Sequence, residues 1–179
     1  MSVQSINELR TSLIGNGGIP LANRFFVELP AIGSVQMPQM NILCKAMNMP
    51  GKQITTVDRM INGTLEKVAY AALWEEVTLT FHPRGDFLAK KYFEEWQNMT
   101  FDMTDEGEIY HKPKYREEYE KDVYLYQVNK DDGEVSYGCK LLNSFPTSIN
   151  SVGYSDDNKQ PIELQVQLTY RRWANMNIT

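Results

Sequence analysis

From Pro20 onward, apolar and polar residues alternate with a period of two, the pattern of a strand whose successive side chains point to opposite faces. Over 24–29, Phe25, Val27 and Leu29 alternate with Phe26 and Glu28, and 41–47 offers a second strand around Cys44. Over 75–81, Val77, Leu79 and Phe81 share one face while Glu76, Thr78 and Thr80 share the other, as in a half-buried antiparallel strand. The clearest alternation is 162–170, where Ile162, Leu164, Val166, Leu168 and Tyr170 oppose Glu163, Gln165, Gln167 and Thr169. Strands are also expected over 123–129 and 134–142, joined by a hairpin turn at Lys130-Asp131-Asp132-Gly133. Phe145-Pro146 reads as a turn, 148–152 as a short extended piece, and Ser155-Asp156-Asp157-Asn158 as another turn.

Met49-Pro50-Gly51 interrupts the chain before a segment of different character. Residues 54–61 and 65–70 predict a hairpin turning at Asn62-Gly63, a dipeptide that readily takes the positive φ angles of a tight turn. Its flanks are only half apolar. Residues 50–71 therefore read as an arm that projects and finds cover elsewhere.

Two stretches have helical period. Ser5-Ile6-Asn7-Glu8 fits a capping box, Ile6, Leu9 and Leu13 share a face, and Gly15, Gly17 and Gly18 end the run. Asp86 is placed to cap a second helix in which Phe87, Leu88, Tyr92, Phe93 and Trp96 oppose Lys90, Lys91, Glu94 and Glu95. That aromatic stripe reads as packing against a sheet, and 99–121, charged and Tyr-rich, reads as a solvated loop. The expected fold is mainly β: an antiparallel sandwich or barrel with one flanking α-helix and a short N-terminal helix. The expected division is a helix and stem over 1–19, a β domain over 20–175, and a tail over 176–179.

Composition narrows the function. The 179 residues are 42% hydrophobic and 23% charged, too apolar for general disorder. A net charge of -5 argues against a protein that grips nucleic acid, which needs clustered Lys and Arg. It suits a surface past which a polyanion slides. Cys44 and Cys139 leave a disulfide open, but two buried free thiols of a reducing compartment are the better reading. Residues 1–13 lack a signal-peptide core, and the longest apolar run, Val68 to Trp74, is far short of the roughly 20 residues of a membrane span. The expectation is synthesis in the cytosol and no membrane partner.

Candidate chemistry is sparse. His82 and His111 have no partner at ligand spacing, and no HExxH, paired CxxC, Walker loop, GxGxxG or GxSxG occurs. Asp102, Asp105, Glu106 and Glu108, like Glu117, Glu118 and Glu120, lie in hydrophilic sequence where nothing desolvates a carboxyl. Tyr170-Arg171-Arg172-Trp173 could stack bases, but packing plus salt bridges is the better reading. The expectation is no catalytic site, no cofactor and no metal.

Several ordered stretches carry a resemblance. Asn23-Arg24-Phe25-Phe26-Val27-Glu28 is followed by Cys44-Lys45-Ala46, Met49-Pro50-Gly51 and Trp74-Glu75-Glu76-Val77-Thr78-Leu79-Thr80. Phe93-Glu94-Glu95-Trp96-Gln97 follows, then Phe145-Pro146-Thr147-Ser148-Ile149 and Ser155-Asp156-Asp157-Asn158 before a long last strand. In order and spacing, over approximately 20–175, these resemble the tail-tube protein of T4-like contractile-tailed bacteriophages, while 99–121 and the tail beyond Trp173 depart from it. The resemblance implies two packed β-sheets with a flanking helix, assembled as homohexameric rings that stack into a tube. It implies as partners the tail sheath protein, baseplate tube-initiator proteins, a tape-measure protein in the lumen, and DNA passing through. It places the protein in the virion tail, and in the host cytoplasm during assembly. The rivals are a tube subunit of a type VI secretion or phage-tail-like bacteriocin particle, and a monomeric β-rich binding module. Because the arm has apolar content without a local partner, Pro50, Gly51, Ile54, Val57, Met60, Ile61, Asn62 and Gly63 are the expected contacts between stacked rings.

Overall fold

The structure is a computed structural model and describes residues 6, 8, 10, 11, 20–33, 43–102, 112–129, 133–154 and 161–176. Among the described residues, eleven strands and two helices of defined bounds follow one another, after a partly described N-terminal helix. They are β1 (Phe25–Glu28), β2 (Cys44–Met47), β3 (Lys52–Ile61), β4 (Thr64–Trp74), β5 (Val77–Phe81) and α1 (Leu88–Asn98). Then come β6 (Phe101–Asp102), β7 (Lys112–Pro113), α2 (Arg116–Tyr119), β8 (Lys121–Val128), β9 (Val135–Ile149), β10 (Leu164–Thr169) and β11 (Arg172–Met176). The fold is mainly β and antiparallel, as the alternation predicts.

A long bent ribbon organises the body. The first part of β9 pairs with β11 and its last part with β10, so β10 and β11 run consecutively along one side of β9. On its other side the first part of β9 pairs with β8, which pairs with β1. Beyond β10 come β5 and then β2. Among the described residues the order β1-β8-β9-β10-β5-β2 ends on an open edge at β1 and another at β2, so these strands do not close into a barrel.

The expected turn at Phe145-Pro146 does not form; β9 runs through it. A proline offers no N–H to a ladder, and strands accept one where the ladder is already irregular. Here Gln167 opposes Ser148 but Leu168 opposes Pro146, leaving Thr147 as the extra residue of a bulge. Three residues earlier Asn143 adopts φ 55°, a left-handed conformation that Asn tolerates better than most. The two irregularities bend the ribbon where it passes from one half of the sheet to the other.

The core lies inside that bend. Val27, Val123, Leu125, Cys139 and Leu141 come from one half, and Val77, Leu79, Phe81, Leu164, Val166 and Leu168 from the other. Helix α1 covers them with Ala89, Tyr92, Phe93 and Trp96, all fully buried. The helix starts one residue later than expected. Phe87 sits at its N-cap with φ 53°, and Asp86 Oδ1 accepts from the Leu88 N–H at 3.2 Å. Tyr92 Oη donates to Pro30 O at 2.6 Å and Trp96 Nε1 to Tyr119 O at 2.8 Å, so neither polar tip is buried unpaired.

The second bond corrects the reading of 99–121 as a solvated loop. Its described parts contain β6 paired with β7 and the turn of helix α2, held against α1 through Trp96 and by Tyr119 packed edge-on to Phe145. High charge hid this: Arg116, Glu117 and Glu118 are exposed, but the Glu120 side chain is buried, and the Tyr119 carbonyl and ring carry the contact. Of the expected N-terminal helix, Ile6, Glu8, Arg10 and Thr11 are helical and exposed; its Ser5 cap, Leu9 and Leu13 lie outside the described residues. So do 130–132, the turn at 155–158, His111, and Asp105, Glu106 and Glu108.

Candidate assembly interface

The Asn62-Gly63 turn forms as expected. Asn62 has φ 51° and Gly63 φ 81°, the two positive angles of a two-residue turn whose twist matches the strands it joins. The strands are longer than the pattern suggests: ten residues in β3 and eleven in β4, with ladder pairs from Ile61–Thr64 at the tip to Lys52–Trp74 at the root. At about 3.3 Å per residue the arm is roughly 33 Å long.

Register assigns the side chains to two faces. One carries Ile54 opposite Ala72 and Met60 opposite Leu65, with the pair Asp58–Lys67 between. The other carries Gln53 opposite Leu73, Val57 opposite Val68, and Ile61, with Arg59 opposite Glu66. Tyr70 is skipped by the ladder and stands out as a bulge. No residue of either strand is buried, and Met60 and Tyr70 are 75% and 78% exposed. Among the described residues the two strands pair only with each other. A free two-stranded hairpin is marginal in water, so an arm with apolar groups on both faces is built to be covered.

The size of that drive can be bounded. Seven large apolar side chains of the arm are exposed: Ile54, Val57, Met60, Ile61, Leu65, Tyr70 and Leu73. At about 1.5–3 kcal/mol for each fully buried, they supply on the order of 10 kcal/mol, comparable to the cost of fixing one protein against another. Pro50 and Gly51 lie at the root, Asn62 and Gly63 at the tip, and Ile54 and Met60 face oppositely to Val57 and Ile61. The expected contacts omit Leu65, Tyr70 and Leu73, although 65–70 is the second expected strand of the hairpin and the apolar run 68–74 carries it on to Trp74.

The open sheet edges form a second feature. Between β1 and β2 lies a groove of about 750 Å³ lined by Phe25, Phe26, Cys44 and Met47 among others. Cys44 is half-buried rather than buried, a departure from expectation, while Cys139 is buried; both are free thiols. Burial pushes Cys44 up to about 12, against a weaker lowering by the Ala46 backbone, and pushes Cys139 up to about 11. Both stay protonated at neutral pH, which makes them packing groups and poor nucleophiles.

The Tyr170–Trp173 tetrad is divided. Tyr170 is buried and its hydroxyl donates to Glu75 O at 2.5 Å; Trp173 packs edge-on against Trp74 at 6.2 Å between centroids. Packing is as expected, but Arg171 and Arg172 form no salt bridge with a described residue. Glu117 and Glu118 lie on α2, and Glu120 follows it, paired with Arg116. Among the described residues no three His, Cys, Asp or Glu side chains converge on a metal position, and no helix is long and apolar enough to cross a membrane.

Comparison with known proteins agrees with the architecture. The phage tail tube protein family matches residues 19–176. Among solved structures, the chain is similar to the tube-terminating cap of the anti-feeding prophage, with TM-score 0.63 and 18% identity over 89% of this chain and 92% of that one. It is similar to a chain of the sheath-tube complex of an extracellular contractile injection system in its extended state, with TM-score 0.62 and 16% identity over 99% of both. Hcp1 from Flavobacterium johnsoniae gives TM-score 0.50 and 8% identity over 85% of this chain and 94% of that one. No match was found among curated protein sequences. With the family matched over nearly the whole chain, the mainly β body and its uncovered arm find their place: the chain belongs to the phage tail tube protein family.

Proposed function

We propose that this chain is the repeating subunit of the inner tube of a contractile phage tail, with six copies to a ring and rings stacked end to end around a lumen that conducts DNA. The observation that carries this reading is the arm. Its apolar groups on both faces have no cover among the described residues, and stacked copies would supply it. The free edges β1 and β2 support it too, since a ring of subunits pairs edges that a single chain leaves open. In this reading Pro50 and Gly51 set the arm's exit, Ile54, Val57, Met60 and Ile61 are the contacts between rings, and Asn62-Gly63 shapes the tip. The body is 20–175, flanked by a stem over 1–19 and a tail over 176–179. The sheath, baseplate tube-initiators and a tape-measure protein are its partners in the virion, after assembly in the host cytoplasm. The net charge of -5 suits a conduit that does not hold the DNA it passes. The role is structural and needs no cofactor.

Met60→Asp/Ile61→Asp places a charge on each face of the arm near its tip. Rings should persist in electron micrographs while tubes are lost; tubes of normal number and length would contradict the proposal. A second reading is the tube of an injection particle that carries no genome. The similarity to extracellular contractile injection system chains favours it. DNA-filled particles made with this subunit would exclude it.

A further inference from the structure

Where the arm leaves the body, three successive residues are held one by one. Trp74 ends β4, and Glu75 and Glu76 lead into β5. Trp173 packs edge-on against Trp74 with their planes at 77°, the Tyr170 hydroxyl donates to Glu75 O at 2.5 Å, and Thr169 Oγ1 donates to Glu76 Oε1 at 2.7 Å. All three holding groups come from the stretch that joins β10 to β11. That stretch is itself fixed: Thr169 pairs with Phe145, Arg171 N–H donates to Leu142 O, and Trp173 pairs with Leu141.

We propose that Thr169–Trp173 is a brace that sets the direction in which the arm leaves the body; the proposal rests on the reading of the arm as a joint between copies. A hairpin attached through two extended strands would otherwise swing about its root, since β3 and β4 pair with no other described strand. The other root strand leans on the braced one. Lys52 Nζ sits 5.3 Å over the Trp74 ring, and a Cβ on Gly51 would come 2.7 Å from Glu75 Oε2, so glycine lets the two roots close up. The Trp173 indole N–H is buried with no hydrogen-bond partner among the described residues, so this ring braces by shape. Arms held at one angle present their apolar faces in register to a neighbouring copy, and less of the binding energy is lost to ordering them.

The test separates arm direction from tube formation. Nitroxide labels at Glu66→Cys on the arm and Lys91→Cys on α1, in a Cys44→Ser background, report their distance distribution by pulsed electron resonance in the unassembled subunit. Thr169→Val/Tyr170→Phe/Trp173→Phe removes both hydroxyls and shrinks the braced ring. The circular dichroism should stay that of the parent while the distribution widens about twofold. Should the triple variant not fold, Thr169→Val/Tyr170→Phe keeps both aromatic rings and deletes only the two hydrogen bonds, and a smaller widening is expected. A distribution as narrow as the parent's in a folded variant overturns the brace. Unlabelled variant should also form fewer tubes. A widened distribution with tubes undiminished would uphold the brace and contradict the arm as the joint between copies.

Discussion

At Asn143 the backbone is left-handed where the β9 ribbon bends, and its N–H donates to Asp122 Oδ1 at 3.1 Å. The same carboxylate pairs with Lys140, whose ammonium also lies 5.1 Å over the Tyr124 ring. Desolvation pushes the Asp122 carboxyl up, but the Lys140 and Asn143 hydrogen bonds and the Lys140 charge outweigh it and leave the carboxyl below its ordinary value. A depressed carboxylate stabilises the fold above its unfolded pKa of about 3.9, and the contribution disappears as pH falls through the lower folded value. Asp122→Asn should therefore cost about 0.5–1 kcal/mol at pH 7, a figure kept small because the pair is partly exposed to solvent. The difference should vanish at the acid end, and chemical denaturation at the two pH values checks it. This contact was not legible in the sequence, where Asp122 and Asn143 lie far apart and nothing marks 143 as a bend. Val27, Leu125 and Leu168 were legible, because burial follows alternation directly.

Among the elements, the hairpin was readable because Asn-Gly names its own backbone geometry. A Cβ at Gly63 would meet nothing within 4 Å, so Gly63→Ala tests backbone strain alone. The cost should be about 1 kcal/mol, read as roughly fivefold faster amide exchange across β3 and β4 in the free subunit. Helix α1 was equally clear from its aromatic stripe, though its start shifted by one residue where Phe87 turns left-handed. Two readings failed for a common physical reason. Pro146 and the charged stretch 99–121 carry local signals for turn and loop, and tertiary context overrides both: a bulge against β10 accepts the proline, and Trp96 binds the backbone at Tyr119. The arm's extent to Trp74 was missed because what ends it lies a hundred residues further on, at Thr169–Trp173.

At the scale of the whole molecule, a core closed by a bent ribbon and one helix coexists with described sheet edges, β1 and β2 among them, that pair with no strand, and with an arm without a buried residue. The core can hold one copy together. In the proposed assembly, further copies cover the edges and the arm. Six-fold order and a DNA-conducting lumen are the proposed form of that assembly. Electron microscopy of the purified protein, with light scattering across a concentration series, tests it most directly. Six-fold rings and stacked tubes of uniform bore are expected, with mass rising as concentration rises; a strictly monomeric protein at every concentration, without rings or tubes, would contradict it.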